Sequence, residues 1–343
     1  MKLLIITQAV DRNHPILGFF HRWIEEFAKH AEHIHVIALQ VGEYNLPKNV
    51  TVHSLGKIKN QKSNIKDKIR FIFNFLHLTF ILRKQYDSVF VHMNPEYIVL
   101  AGWVWRLTGK KIGLWYNHSV GSFWLRIAQP FTSVVFHTSP YAYTARYKNA
   151  RRMPAGIDTT VFKPHPEIKK IPKSIYFQGR IAPAKRVHII LEAFAKLHAL
   201  GEAKVLTLVG PEDEEYTKPL REKYASLIRS GAVVFKGSVP HSETPVLYAA
   251  HEVSVNLTDD GNYDKTVLES IACGIPCIVS SAAFGEIIEK KYILDQSNVA
   301  SLETTLTKVV PVVVDAVSLH TLVIERESLA LLSNKIFETY KSV

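Results

Sequence analysis

Cysteine is scarce. The 343 residues hold two, Cys273 and Cys277, close together in one run of small side chains. Thiols so placed read as compact core residues and imply neither a disulfide framework nor a cysteine zinc site. No G-x-G-x-x-G follows the first apolar run, and there is no Walker lysine loop, no G-x-S-x-G and no H-E-x-x-H. Asp259 and Asp260 are adjacent acids without a wider ligand set, so no metal site is expected. Long apolar runs are missing too. "FIFNFLHLTFIL" is interrupted by Asn74 and His77 and is too short to span a bilayer. "MKLLIITQAV" carries one basic residue and no small-residue cleavage site before Asp11, which reads as a first strand rather than a signal peptide. The expected location is a reducing cytoplasm, or the inner face of the plasma membrane as a peripheral protein. Acidic residues are outnumbered, 31 Asp and Glu against 42 Lys and Arg, for a net charge of +11. That excess favours an anionic partner such as nucleic acid, a membrane surface or a phosphorylated substrate. No recognised nucleic-acid motif or aromatic stacking platform accompanies it, so nucleic acid is not expected.

Short apolar strands alternating with amphipathic helices run through both halves. In the first, strands are expected at Leu3 to Gln8, His33 to Leu39, Ser88 to His92, Lys111 to Trp115 and Ser133 to Thr138, with helices at Gly18 to His30 and Tyr97 to Thr108. "FKPHPEIKKIPKS" holds three prolines and four lysines without apolar periodicity and reads as a linker. After it come strands Ser174 to Gln178, Lys204 to Val209, Ala232 to Phe235 and Glu252 to Asn256, with helices at Lys185 to Ala199, Lys218 to Arg229 and Ser242 to Ala250. Such alternation predicts an α/β class of two Rossmann-like domains, parallel sheets covered on both faces and a cleft between them. The expected division is 1–162, a linker at 163–173, 174–326, and a C-terminal helix at 327–343 whose docking the sequence leaves open. Lys57 to Lys84 departs from the pattern, with eight Lys or Arg and one Asp around a Phe-rich core. It reads either as a buried crossover helix with a solvated basic start or as a face lying on an anionic membrane.

In a parallel sheet, ligands bind beyond the carboxyl ends of the strands. Gly179, Arg180 and Lys185 in "GRIAPAKR" join such an end to a helix N-terminus, and together offer close backbone approach, two cations and free amides to a diphosphate. Gly210 opens a second strand-end loop, "PEDEEY", of no specific chemistry, and Gly156 with Asp158 makes a tight turn ahead of the linker. His118 lies just past a strand end, where a structural histidine and one facing the crevice are equally compatible. In "DKTVLESIACGIPCIVS", Asp264 suits an N-cap, and Lys265 and Glu269 share one helix face. A surface ion pair is one account of the two; but Lys before Glu is the weaker order and a first-turn cation opposes the helix dipole, so an adjacent bound anion is the other.

"PAGIDTTVFKP", "GRIAPAKR", "LVGPEDEEY" and "DKTVLESIACGIPCIVS", in this order and spacing, resemble family 4 of the retaining glycosyltransferases, whose GT-B fold has two facing Rossmann-like domains. The likeness is specific in the second half and looser in the first. It implies a retaining, metal-independent hexosyltransferase with no cofactor, taking a UDP- or GDP-linked sugar to a saccharide or lipid-linked acceptor in glycan assembly. On that resemblance Gly179, Arg180, Lys185, Gly210, Asp264, Lys265, Thr266 and Glu269 bind the donor, with the diphosphate on Arg180 and Lys185 and the ribose hydroxyls on Glu269. His118 faces the donor sugar, and His14 and Gly18 border the acceptor. Where the family has a second glutamate, eight positions before the ribose one, this chain has Gly261; Asp264 or main-chain amides are the candidate substitutes. A sugar-nucleotide epimerase or phosphorylase on the same fold is the alternative enzyme class, and a basic nucleic-acid-binding protein a remote one.

Overall fold

The computed structural model describes residues 1–14, 17–56, 65–310 and 314–343, and they form two compact units. The first comprises 1–156 together with 329–343, and the second 157–328.

The first unit runs β1 (Lys2–Val10), α1 (Gly18–Ala28), β2 (His33–Val41), β3 (Val50–Ser54), α2 (Ile65–Ile81), β4 (Ser88–His92), α3 (Glu96–Leu107), β5 (Lys111–Trp115), α4 (Phe123–Ala128), β6 (Val134–His137) and β7 (Ala150–Arg152). Its seven strands are parallel in the order β3-β2-β1-β4-β5-β6-β7. Two buried clusters cover the two faces. One gathers Phe20, Trp23 and Phe27 of α1 with Leu332, Ile336 and Tyr340. The other gathers Phe75, Ile98, Trp105 and Leu125.

The second unit runs β8 (Ser174–Gln178), α5 (Val187–Ala199), β9 (Val205–Val209), α6 (Glu214–Lys223), α7 (Ala225–Arg229), β10 (Val233–Gly237), α8 (Thr244–Ala249), β11 (Val253–Asn256), α9 (Lys265–Ala272), β12 (Cys277–Val279), α10 (Val299–Val309) and α11 (Ala316–Glu327). Its five strands are parallel in the order β10-β9-β8-β11-β12. β8, β9, β11 and β12 are almost wholly buried because helices cover both faces of the sheet, whereas the edge strand β10 alternates buried and exposed residues.

Several expectations shift. The first unit ends at Gly156 rather than at 162, and 163–173 is irregular chain within the second unit. The last helix, α12 (Leu329–Ser342), belongs to the first unit: the Tyr340 hydroxyl donates to the Val89 carbonyl at 2.7 Å, and Lys111 Nζ donates to the Tyr340 carbonyl at 2.6 Å. The helix expected from Lys185 starts at Val187, after a 3₁₀ turn at Pro183–Lys185 and a left-handed Arg186 with φ 49°. The helix expected from Lys218 starts four residues earlier, because the Asp213 side chain accepts from the Tyr216 amide and caps it. Edge strands β3 and β7 were not expected: their residues are mostly part-exposed and give little apolar signal. Part of the basic segment, 57–64, lies outside the described residues; the remainder forms α2. Among the described residues no helix is long and apolar enough to cross a membrane.

Candidate functional site

In the second sheet the chain leaves β8 for β9 and β10, then returns to pair β11 on the other side of β8. The carboxyl ends of β8 and β11 therefore flank the point where the winding reverses, the usual crevice for a ligand in an open α/β sheet. Both motifs singled out in the sequence arrive there.

After β8 the chain turns at Gly179, φ +150°, and its carbonyl lies against Gly210 at the end of β9. A Cβ at Gly210 would stand 2.0 Å from that oxygen, so glycine is required for the two strand ends to approach. Arg180 follows, exposed. Lys185 Nζ reaches across to the Asp264 carboxylate at the start of α9, tying the β8 turn to the loop after β11. Arg186 ties the same two segments a second time, its guanidinium 2.6 Å from Asp259 Oδ1. The left-handed backbone of Arg186 is one of three non-glycine residues with positive φ among those described, and strain of this kind collects where a site needs an unusual direction.

Asp264 occupies the N-cap position of α9 but makes no side-chain cap bond, since its carboxylate is engaged with Lys185 and, at 3.1 Å, with the Asn256 amide. Asn256 Nδ2 also lies 3.2 Å from Thr266 Oγ1, and Thr258 donates to Asn256 Oδ1 at 3.1 Å. A polar network thus binds the end of β11 to the first turn of α9. Gly261, in the loop between, has φ +85°, and its amide bonds the Asp260 carboxylate, which also accepts from the Ala282 amide at 2.7 Å. That left-handed backbone suits glycine and disfavours a glutamate.

Glu269 is 5% exposed, and its Oε1 lies 3.0 Å from His241 Nε2, so it is not the surface ion-pair partner of one of the two accounts. His241 stands just ahead of α8 with its ring 4.9 Å from that of Phe162. Burial opposes a charged His241, but the charge and hydrogen bond of Glu269 outweigh it and raise its pKa above the ordinary 6.5. The Lys265 stem is part-exposed while its ammonium nitrogen is shut off from solvent. Burial pushes that ammonium down to about 7 against the opposing pull of Glu269 and Glu327.

Lys185, Asp264, Thr266, Gly179 and Gly210 are therefore brought together, with Lys265 and Glu269 on the same helix and Arg180 exposed beside them. Arg186, Asn256 and His241 join the site without having been singled out, and Asp259, weighed in the sequence only as a metal ligand, joins it as the partner of Arg186. Arg186 was visible as the last residue of "GRIAPAKR"; His241 gave no sequence signal, because its partner is 28 residues away. Asp259 and Asp260 are engaged by a guanidinium and by main-chain amides, and among the described residues no group of three or more His, Cys, Asp or Glu could hold a metal. Both thiols are buried, and burial pushes Cys277 up to about 12, so they are packing residues.

In the first unit, His118 lies past the end of β5, exposed, its carbonyl accepting from the Tyr143 amide at 2.8 Å and its ring 5.4 Å from Tyr116. His14 Nδ1 accepts from the Leu17 amide at 2.9 Å, and its carbonyl from the Gly18 amide at 2.9 Å, so these two residues shape the turn into α1 at the end of β1. That turn sits beside the reversal between β1 and β4 in this sheet.

Residues 172–310, which hold the cluster around Lys185, Asp264 and Glu269, match the sequence model of the family described as glycosyl transferases group 1. Over 142 residues it is 30% identical to the alpha-monoglucosyldiacylglycerol synthase of Streptococcus pneumoniae; the match covers 37% of this chain and about a third, 32%, of that relative. Among solved structures, Anabaena HepE in complex with UDP-glucose aligns over 100% of both chains with a TM-score of 0.75 at 16% identity. Sucrose-phosphate synthase from Thermosynechococcus elongatus aligns over 100% of this chain and 99% of its own with a TM-score of 0.73, also at 16% identity. These likenesses establish the GT-B fold.

Proposed function

We propose that this chain transfers a sugar from a nucleoside diphosphate sugar to an acceptor hydroxyl, with retention of the anomeric configuration and without a catalytic metal. The observation that carries the reading is the assembly at the β8/β11 reversal: a glycine floor at Gly179 and Gly210, cations at Arg180, Lys185 and Arg186, and the Glu269 carboxylate one turn into α9, all within the segment matched to group 1 glycosyl transferases. The solved relative that holds UDP and glucose supports a UDP-linked donor, and the curated relative's name supports a lipid-linked acceptor.

In the reaction the bond from the anomeric carbon to the diphosphate oxygen breaks and a bond to the acceptor oxygen forms on the same face. The acceptor proton passes to the departing phosphate oxygen. Negative charge grows on the diphosphate as it leaves, and fixed cations aimed at it stabilise that charge more than they stabilise the bound substrate. Asp264 shares Lys185 with the diphosphate and keeps the ammonium oriented. Glu269, steadied by His241, accepts from the ribose hydroxyls. Retention, and the roles of His118, His14 and Gly18 toward sugar and acceptor, rest on the family resemblance.

Product analysis with UDP-glucose and GDP-linked sugars, with and without added acceptor and after EDTA treatment, checks the reading. Acceptor-dependent release of the nucleoside diphosphate, unaffected by EDTA, is expected. Turnover without acceptor would favour an epimerase, and loss restored by Mg²⁺ or Mn²⁺ would assign metal binding to Asp259, Asp260 or Asp264.

A further inference from the structure

Helix α2 has two apolar faces, and among the described residues the fold buries one. Phe71, Phe75 and Thr79, one turn apart, are buried against the first unit. Ile65, Ile69, Ile72, Leu76 and Phe80 recur at the spacing of a second stripe, and every one of them is exposed, Ile65 by 76% and Phe80 by 58%. Phe73, 68% exposed, borders this stripe. Lys66 and Arg70, the latter 3.2 Å from Asp67, lie beside the stripe on the side away from the buried face, and Lys84 follows three residues past the end of the helix, all three exposed. The neighbouring helix α3, which packs on α2, ends in an exposed Trp103 and Leu107, and α4, packed on α3, opens with an exposed Phe123 and Trp124.

A single exposed leucine needs no explanation, but an unbroken stripe of large apolar side chains along four turns does. Its borders say what covers it. A second protein copy would bring this same basic rim against itself, whereas a bilayer surface of anionic lipid offers negative charge to the rim and acyl chains to the stripe. Exposed Trp and Phe on the adjoining helices are the side chains that favour the boundary between headgroup and acyl chain. We infer that α2 lies on an anionic bilayer, its Ile65-to-Phe80 stripe inserted and its Lys66, Arg70 and Lys84 border against the headgroups. Binding follows from this surface alone; the further consequence, that the transfer site meets an acceptor embedded in the same bilayer, rests on the glycosyl-transfer reading.

The experiment is co-sedimentation of the full chain with vesicles of phosphatidylcholine alone and of phosphatidylcholine with about a third phosphatidylglycerol, over a range of salt. One variant carries Ile69→Ser, Leu76→Ser and Phe80→Ser, the other Lys66→Glu, Arg70→Glu and Lys84→Glu. Because all six side chains are exposed, both variants should melt close to wild type; if the serine variant does not fold, the charge-reversal variant decides. Wild type should partition to the anionic vesicles at least about tenfold more than to neutral ones, and each folded variant should lose most of that binding. UDP affinity, measured on the same proteins in the absence of lipid, should be unchanged; this separates failure at the membrane from failure of the donor site. Equal binding to both vesicle types, binding unchanged in either folded variant, or a wild-type dimer that the serine variant dissociates would overturn the proposal.

Discussion

If the proposed donor site is right, Lys265 should tie nucleotide binding to protons, because burial pushes its ammonium from 10.5 down to about 7. Between those values the unfolded chain holds a proton that the folded chain has released, so this residue makes stability rise with pH across the window from about 7 to 10.5. His241 works in the opposite sense. Its pKa is raised above 6.5, so the stability it contributes is complete below that value and is lost as pH climbs through the raised one. A diphosphate settling near Lys265 favours the charged form, and nucleotide binding at pH 8 should therefore take up a proton. Calorimetry in two buffers of different ionisation enthalpy checks this: the apparent enthalpy should differ between buffers for wild type and not for Lys265→Met. That variant should also be the more stable protein below pH 7, since it lacks a buried charge. Arg180→Ala and Lys185→Ala should each lower kcat/KM by about one to three decades, the usual effect of losing one preorganised charge partner. Near-wild-type turnover in both would take the diphosphate away from the β8 turn.

At the scale of elements, the strands and helices that carry the site were legible because each is either a short apolar run or a strongly periodic one. β8, β9 and β11 read correctly from sequence, as did Gly179 and Gly210, which end the first two. What stayed hidden was long-range pairing. Nothing local says that Asp264 answers Lys185 across 79 residues, or that His241 answers Glu269 across 28. The local argument placed Glu269 opposite Lys265 on one helix face and so missed that the face is buried. A carboxylate that is 5% exposed and hydrogen-bonded supports the fold whatever it binds, so Glu269→Ala should lower stability measurably as well as the proposed nucleotide affinity. The turn glycines give a sharper test. Gly210→Ala places a Cβ 2.0 Å from the Gly179 oxygen in a backbone with φ +139°, and should cost at least about 1–3 kcal/mol in urea unfolding. A loss within a few tenths of a kcal/mol would mean that the two strand ends separate without penalty.

On the scale of the whole chain, sequence alternation announced two α/β units but not which one owns the last helix. The answer depends on Tyr340, whose hydroxyl reaches the carbonyl of Val89, 251 residues away in the first unit. Tyr340→Phe leaves that buried carbonyl without its partner and should lower the stability of the first unit by about 1–3 kcal/mol, read as an earlier denaturant midpoint for its tryptophan fluorescence. All five tryptophans of the chain belong to that unit, so the second unit contributes nothing to the signal. Unchanged unfolding would mean that α12 is held by its apolar face alone. The central claim is that the second unit binds a nucleoside diphosphate sugar through the β8/β11 reversal and α9. Its most direct measurement is calorimetric titration of UDP and of GDP into the full chain and into folded Glu269→Ala. One nucleotide should bind wild type with a stoichiometry of one, and Glu269→Ala should bind it at least about tenfold more weakly, since each charge-assisted bond to a ribose hydroxyl contributes roughly 1.5–3 kcal/mol. Equal affinity in the folded variant, or no binding of either nucleotide to wild type, would contradict the account.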